Sequence, residues 1–224
     1  LVAYAGDDSY DYDQGFQGYG QYWVAIQDKE DGQGDRLAEQ DGGGSGEGGA
    51  NETQSQPKIY NATYIGSGGK LMIFRDQSGG EYANSIFVNT ADGIRIELRD
   101  DKTSSWDMFE AGLLTIKNNV GCGIATDDDA YMFVKPEEDD DGNPLGEEAD
   151  TDDADALAHW NDNNNVIEDL GIKADGEGLN IVPTGVGSNG VADVPGAWFD
   201  QADYHGAIDP NGDDWTQGWT LTFK

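Results

Sequence analysis

Near its start the chain reads "GDDSYDYDQGFQGYGQYW", in which Asp7, Asp8, Asp11 and Asp13 alternate with Tyr10 and Tyr12. On an extended strand, successive side chains point to opposite faces. Asp11 and Asp13 then share one face and the two tyrosines the other. Converging carboxylates are what a hard cation such as calcium requires, because it binds through oxygen. The same residues also make an ordinary solvated face, and spacing alone does not separate the two readings. A second acidic cluster, Asp139, Asp140 and Asp141, lies in "PEEDDDGNPLGEEADTDDADA". A third, "DPNGDDWTQGWT", places Asp209, Asn211 and Asp213 at alternate positions. It lacks the glycine and the final glutamate of an EF-hand loop, so it fits a tight turn better than a metal loop. Calcium is the cofactor these clusters would take.

Tyr10, Tyr12, Tyr19, Tyr22 and Trp23 form a second constellation, suited to stacking on sugar rings if exposed on a flat β-face. Buried inside the fold, the same rings would be core. Catalysis has little support beyond this. The only two histidines are His159 and His205, each read as structural. Nucleophile-elbow, phosphate-loop and Cys/His zinc patterns are missing. Carboxylate pairs for glycoside hydrolysis are present only in the sense that aspartate is everywhere. Asn51-Glu-Thr53 and Asn61-Ala-Thr63 match the N-glycosylation pattern, which is common by chance.

Composition narrows the partners. There are 45 acidic residues against 12 basic, a net charge of −33. Nucleic acid needs clustered Lys and Arg and is excluded as an expected partner, and an anionic membrane surface is disfavoured for the same reason. High external salt or bound cations would make such charge tolerable, which points to a halophilic or marine protein. Cys122 is the only cysteine, a small hydrophobe by its context. No stretch approaches the length of a membrane helix. The first residue is Leu1, and the expectation is a processed product or part of something longer.

The elements that position these residues repeat. "IYNATYIG", "YANSIFVN" and "IKNNVGCG" align on Asn61, Asn84 and Asn118. Between them lies a second series, "KLMIFRD" and "GIRIELRD". The asparagines are 23 and then 34 residues apart, and a repeat of about 20–30 residues with short strands and Gly-rich corners, the longer step carrying an insertion, indicates a solenoid. The expected fold is all-β: a right-handed parallel β-helix forming a single domain over 1–224, with loop insertions near 41–56 and 136–160 and one short helix at "TDDADALAHW". Asn61, Asn84 and Asn118 are expected to form a structural ladder of side-chain amides, each bonded to the next rung. The segment 196–224, with Trp215 and Trp219, is expected to cap the C-terminal end. The N-terminal strand "LVAYA" is expected to pair with upstream rungs, another chain or a second copy.

"AGDDSYDYDQGFQGYGQYWVAIQD" and "WFDQADYHGAIDPNGDDWTQGWT", with "PKIYNATYIGSG" and "FRDQSGGEYANSIFVN" between them, resemble the C-terminal half of a family of secreted bacterial exoproteins and lipoproteins. That resemblance implies a parallel β-helix, a secreted location and further rungs before "AGDDSYDYDQG". It carries no activity, so no catalytic residue transfers. The expected role is an acidic β-helix, extracellular or at the cell surface, that is structural, adhesive or assembly-forming. The alternative is a polysaccharide-binding or polysaccharide-degrading protein on the same scaffold.

Overall fold

A computed structural model describes residues 1–30, 34–43, 54–126, 131–139, 141–147, 150–174, 176–218 and 220. Asp140, Trp219 and the Asn51–Thr53 motif lie outside the described residues. The chain winds through rungs of three short strands each. The first rung is β1 (Val2–Ala3), β2 (Tyr10–Tyr12) and β3 (Tyr19–Gln21). The second is β4 (Val24–Ile26), β5 (Arg36–Asp41) and β6 (Lys58–Tyr60). The third is β7 (Thr63–Ile65), β8 (Lys70–Arg75) and β9 (Gly80–Ala83). The fourth is β10 (Ile86–Val88), β11 (Ile94–Leu98), a helix α1 (Ser105–Glu110) and β12 (Leu114–Lys117). The last holds β13 (Val120–Cys122), β14 (Met132–Pro136), the helix α2 (Asp150–Asp162) and β15 (Val166–Ile167).

Like strands stack into three all-parallel sheets, β1-β4-β7-β10-β13-β15, β14-β11-β8-β5-β2 and β12-β9-β6-β3. This is the right-handed parallel β-helix. Among the described residues it carries two helices rather than one, because "SSWDMFE" forms α1 under a Ser104–Asp107 capping box.

Register puts like residues inside at each level. Ala38, Met72, Ile94 and Met132 stack, as do Ile59, Tyr82 and Ile116. All are essentially inaccessible to water. Each large apolar side chain so buried contributes about 1.5–3 kcal/mol.

The corner between the four-stranded and six-stranded sheets explains the repeated asparagines. Tyr22, Asn61, Asn84, Asn118 and Asn164 occupy it in successive turns, all with φ between +51° and +62°. Asparagine tolerates this left-handed conformation better than other side chains with a Cβ. The expected ladder on Asn61, Asn84 and Asn118 is corrected by one residue. The inward-pointing positions are Ala62, Ser85, Asn119 and Asn165. Ala62 N donates to Ser85 Oγ at 3.0 Å, Ser85 N to Asn119 Oδ1 at 2.8 Å, and Asn119 Nδ2 to Asn165 Oδ1 at 3.0 Å. At a two-residue corner the left-handed residue turns its side chain outward, and its successor turns inward.

Those outward amides hold the C-terminal segment. Asn164 Nδ2 donates to Asn189 O at 2.6 Å, Asn118 Nδ2 to Gly190 O at 3.1 Å, Asn84 Nδ2 to Ala192 O at 2.9 Å and Asn61 Nδ2 to Tyr204 O at 2.8 Å. The segment runs back along the solenoid and covers the outer apolar face of the six-stranded sheet. Leu170, Ile181, Ala207 and Ile208 pack there against Val24, Ile65, Ile86 and Val120. Gly206 approaches so closely that a Cβ would sit 2.6 Å from Thr63 Oγ1.

The described part of 196–224 therefore lies along the flank and not over the C-terminal end. That end is closed by α2. Ala156 and Trp160 enter the main core. Asp153 Oδ1 accepts from Val134 N at 2.7 Å, and His159 Nε2 from Ile116 N at 3.1 Å, so side chains of α2 satisfy donors of the last strands. His205 is also structural, its Nδ1 accepting from Gly187 N at 3.2 Å. No helix among the described residues is long and apolar enough to cross a membrane.

Candidate functional site

The outer face of the five-stranded sheet concentrates the charged groups of the solenoid. Strand alternation sends Glu39, Asp41, Arg75, Arg95 and Glu97 outward, while Gln40, Phe74 and Ile96 point in. Register sets Asp11 opposite Glu39 and Asp41 opposite Arg75. Glu97 follows Ile96, the partner of Phe74, and so continues the Asp41–Arg75 row one rung on, opposite Lys135. Two rungs separate Asp41 from Glu97, a backbone distance of about 9–10 Å.

Arg75 sits between them. Its Nη1 donates to Glu39 Oε1 at 2.6 Å, and its Nε lies 3.3 Å from Asp41 Oδ1. Asp76 faces the same guanidinium at 3.8 Å and pairs with Lys102 at 2.5 Å. Glu97 accepts from Asp76 N at 2.5 Å through Oε2, and its Oε1 lies 3.6 Å from Arg99. Several buried atoms of this face have no aligned hydrogen-bond partner, namely Asp41 Oδ1, Arg75 Nε, Arg95 Nε and Glu97 Oε1. Unsatisfied buried polar atoms are uncommon; here Asp41 Oδ1 and Arg75 Nε face each other at 3.3 Å as an ion pair, and Glu97 Oε1 faces Arg99 at 3.6 Å.

The electrostatics follow from burial. Asp41 is pushed up to about 7 by desolvation, with Glu39, Asp76 and Asp13 adding to the effect and Arg75 offsetting only part of it. Glu97 also rises to about 7, again mainly from burial, with Asp76 and Glu137 nearby. Asp8 rises to about 7 through burial and a hydrogen bond shared with Glu39. Burial works against the charge on Arg75, but Asp41, Glu39, Glu137 and Asp76 outweigh it and leave its pKa raised. Two carboxyl groups that exchange protons near neutrality therefore flank a fixed cation. Of the two, Asp41 borders solvent, while Glu97 is only 1% exposed, held by Asp76 N and facing Arg99.

The acidic residues read from the sequence fall in several places. Asp8 and Asp11 join this face at its first rung. Asp7 and Asp13 are exposed. Asp139 accepts from the backbone of Asp141 and Asn143 and so closes its own turn. Asp209 does the same with Asn211 at 2.7 Å, near Asp213. Among the described residues, no group of three or more His, Cys, Asp or Glu is placed to hold a metal ion.

The aromatic set divides. Tyr10 stacks on Trp23 at 4.5 Å and on Tyr64 at 5.7 Å, plugging the first rung from inside. Tyr12 turns in beside Phe16 at 5.3 Å. Tyr22 lies against Tyr204 at 6.4 Å, and Tyr19 is exposed. Sequence reasoning overlooked Asp41, Arg75 and Glu97. The signal was the polar ends of "KLMIFRD" and "GIRIELRD", which stack once the rungs are in register.

A model of the pectate-lyase-like β-helix domain matches residues 1–165. The chain belongs to this family of pectate-lyase-like β-helix domains. No curated protein and no solved structure matches it. The family match spans every strand but β15, together with α2 and the charged face of this β-helix domain, and leaves the returning C-terminal segment outside.

Proposed function

We propose that this β-helix binds and cleaves an extracellular or cell-surface polysaccharide along the outer face of its five-stranded sheet. The observation that carries the reading is the row Asp41–Arg75–Glu97, two carboxyl groups titrating near 7 on either side of an arginine. The family's scaffold type supports the polysaccharide class. The face carries more carboxylates than cations, so a neutral glycan suits it better than a polyuronate, which it would repel. The net charge of −33 argues against a nucleic-acid partner.

The test is a panel of neutral and acidic polysaccharides, scored for reducing ends and for unsaturated products. The expected result is reducing ends from a neutral glycan, lost in Asp41→Asn and Glu97→Gln with binding retained. Unchanged activity in both variants would overturn the assignment.

A second reading, a structural or adhesive assembly, is supported by the first rung. Its strands β1, β2 and β3 pair on one side only among the described residues, and such edges invite strand addition. Light scattering decides it, a concentration-dependent oligomer being the expected result on that reading.

A further inference from the structure

Tyr19 and Trp198 are the most exposed large apolar side chains among the described residues, at 51% and 57%. They are 179 positions apart yet their rings lie 5.5 Å apart, tilted by 55°. Both rest on Phe199, 5.4 Å from Tyr19 and 4.8 Å from Trp198. Phe199 is itself buried against Tyr60 and Ala83. The backbone beside it is pinned by a reciprocal pair: Gln21 Nε2 donates to Asp200 O at 2.7 Å, and Asp200 N donates to Gln21 Oε1 at 2.9 Å. Two exposed rings are thus held rigidly, with polar groups around them. Tyr19 leads onto the outer face of the four-stranded sheet, where Lys58 stands opposite it and Glu81 follows.

We propose that Tyr19 and Trp198 form a stacking platform for a neutral sugar residue, a glycan-binding subsite on a different face from the carboxylate row. The proposal rests on the polysaccharide reading above. A sugar suits the geometry because its C–H faces pack on rings while its hydroxyls reach polar edges such as Asp200 and Lys58. A second copy of the chain does not suit it. The exposed halves of two rings supply on the order of 200 Å², far below the roughly 800 Å² per partner of a stable interface, and a charge of −33 repels a like molecule. Tyr19 lies within the family-matched residues and Trp198 and Phe199 outside them, so the platform joins the solenoid to the C-terminal segment.

The test uses the full chain and four hexasaccharides, of β-1,4-glucose, β-1,4-xylose, β-1,4-mannose and α-1,4-galacturonate, titrated by calorimetry. At least one neutral hexasaccharide should bind. Tyr19→Ala and Trp198→Ala should each weaken that binding about three- to tenfold, while Asp41→Asn/Glu97→Gln retains the Trp198-dependent component. Circular dichroism confirms folding, which exposed positions should not disturb. Equal affinity in wild type and Trp198→Ala, or no binding by any hexasaccharide, overturns the platform. Trp198-sensitive binding without cleavage supports the platform and overturns only the catalytic reading.

Discussion

Asn119 is the strongest test of where the polar ladder lies. Replacing it with alanine removes three side-chain hydrogen bonds in a fully buried corner. Ser85 N loses its acceptor at 2.8 Å, Tyr82 O its donor at 3.1 Å, and Asn165 Oδ1 one of its two donors, leaving that from Asn119 N. An orphaned buried N–H costs about 1–3 kcal/mol, and the other two bonds contribute about 0.5–1.5 each. The total is about 4 kcal/mol. For a domain of this size that lowers Tm by about 8–16 °C. The neighbouring Asn118→Gly loses only an exposed bond to Gly190 O, and glycine accepts the left-handed corner freely. Its change should stay within about 1 kcal/mol. Urea titration and thermal melts of both variants provide the comparison. A larger loss for Asn118→Gly than for Asn119→Ala would refute the inward assignment and restore the ladder to the left-handed residues.

The raised carboxyl groups give a pH signature. Asp8, Asp41 and Glu97 bind protons more tightly folded, near 7, than at their ordinary 3.8 or 4.5. Their contribution is full below about pH 4 and is lost as pH rises through about 7. In melts at constant high salt, stability should fall from about pH 5 to about pH 8, and less steeply in Asp41→Asn and Glu97→Gln; a rise over that window contradicts the burial argument. At low ionic strength, NaCl should raise Tm by screening the charge of −33, and a flat response counts against halophilic adaptation. If calcium is a ligand, it should stabilise more than NaCl of equal ionic strength, reversibly with chelator; equal shifts remove the calcium proposal. Trp160→Ala, emptying a buried site in α2, should cost about 3–5 kcal/mol in urea unfolding, and a loss under 1 kcal/mol would mean that α2 does not close the core.

The repeat was legible because a left-handed corner demands an unusual residue. Asn61, Asn84 and Asn118 each mark that demand, and the strands after them follow. Which side chain faces inward was not legible, since it depends on the corner having two residues and on Ser85 and Asn119 occupying equivalent places. Tyr22 holds the same corner as the asparagines, so the first rung escaped the alignment. The site was hidden for a different reason. Asp41 and Glu97 lie 56 residues apart in a chain full of acids, and only register makes them neighbours of Arg75. The route of the C-terminal segment was illegible because it has almost no regular strand or helix, and its hydrogen bonds go to side chains far away in sequence.

That returning segment changes how the molecule comes apart. A bare solenoid has only nearest-neighbour contacts, so it can fray one rung at a time from either end. Here Asn164, Asn118, Asn84, Asn61 and Gln21 all grip one length of chain. Peeling the first rung must break the same strip that the last corner holds. The stack behaves as a closed circuit in which the two ends share their fate. The cost is kinetic. These contacts span up to 179 residues, so they close last, and the apolar face they cover stays open to solvent until the final rung is in place.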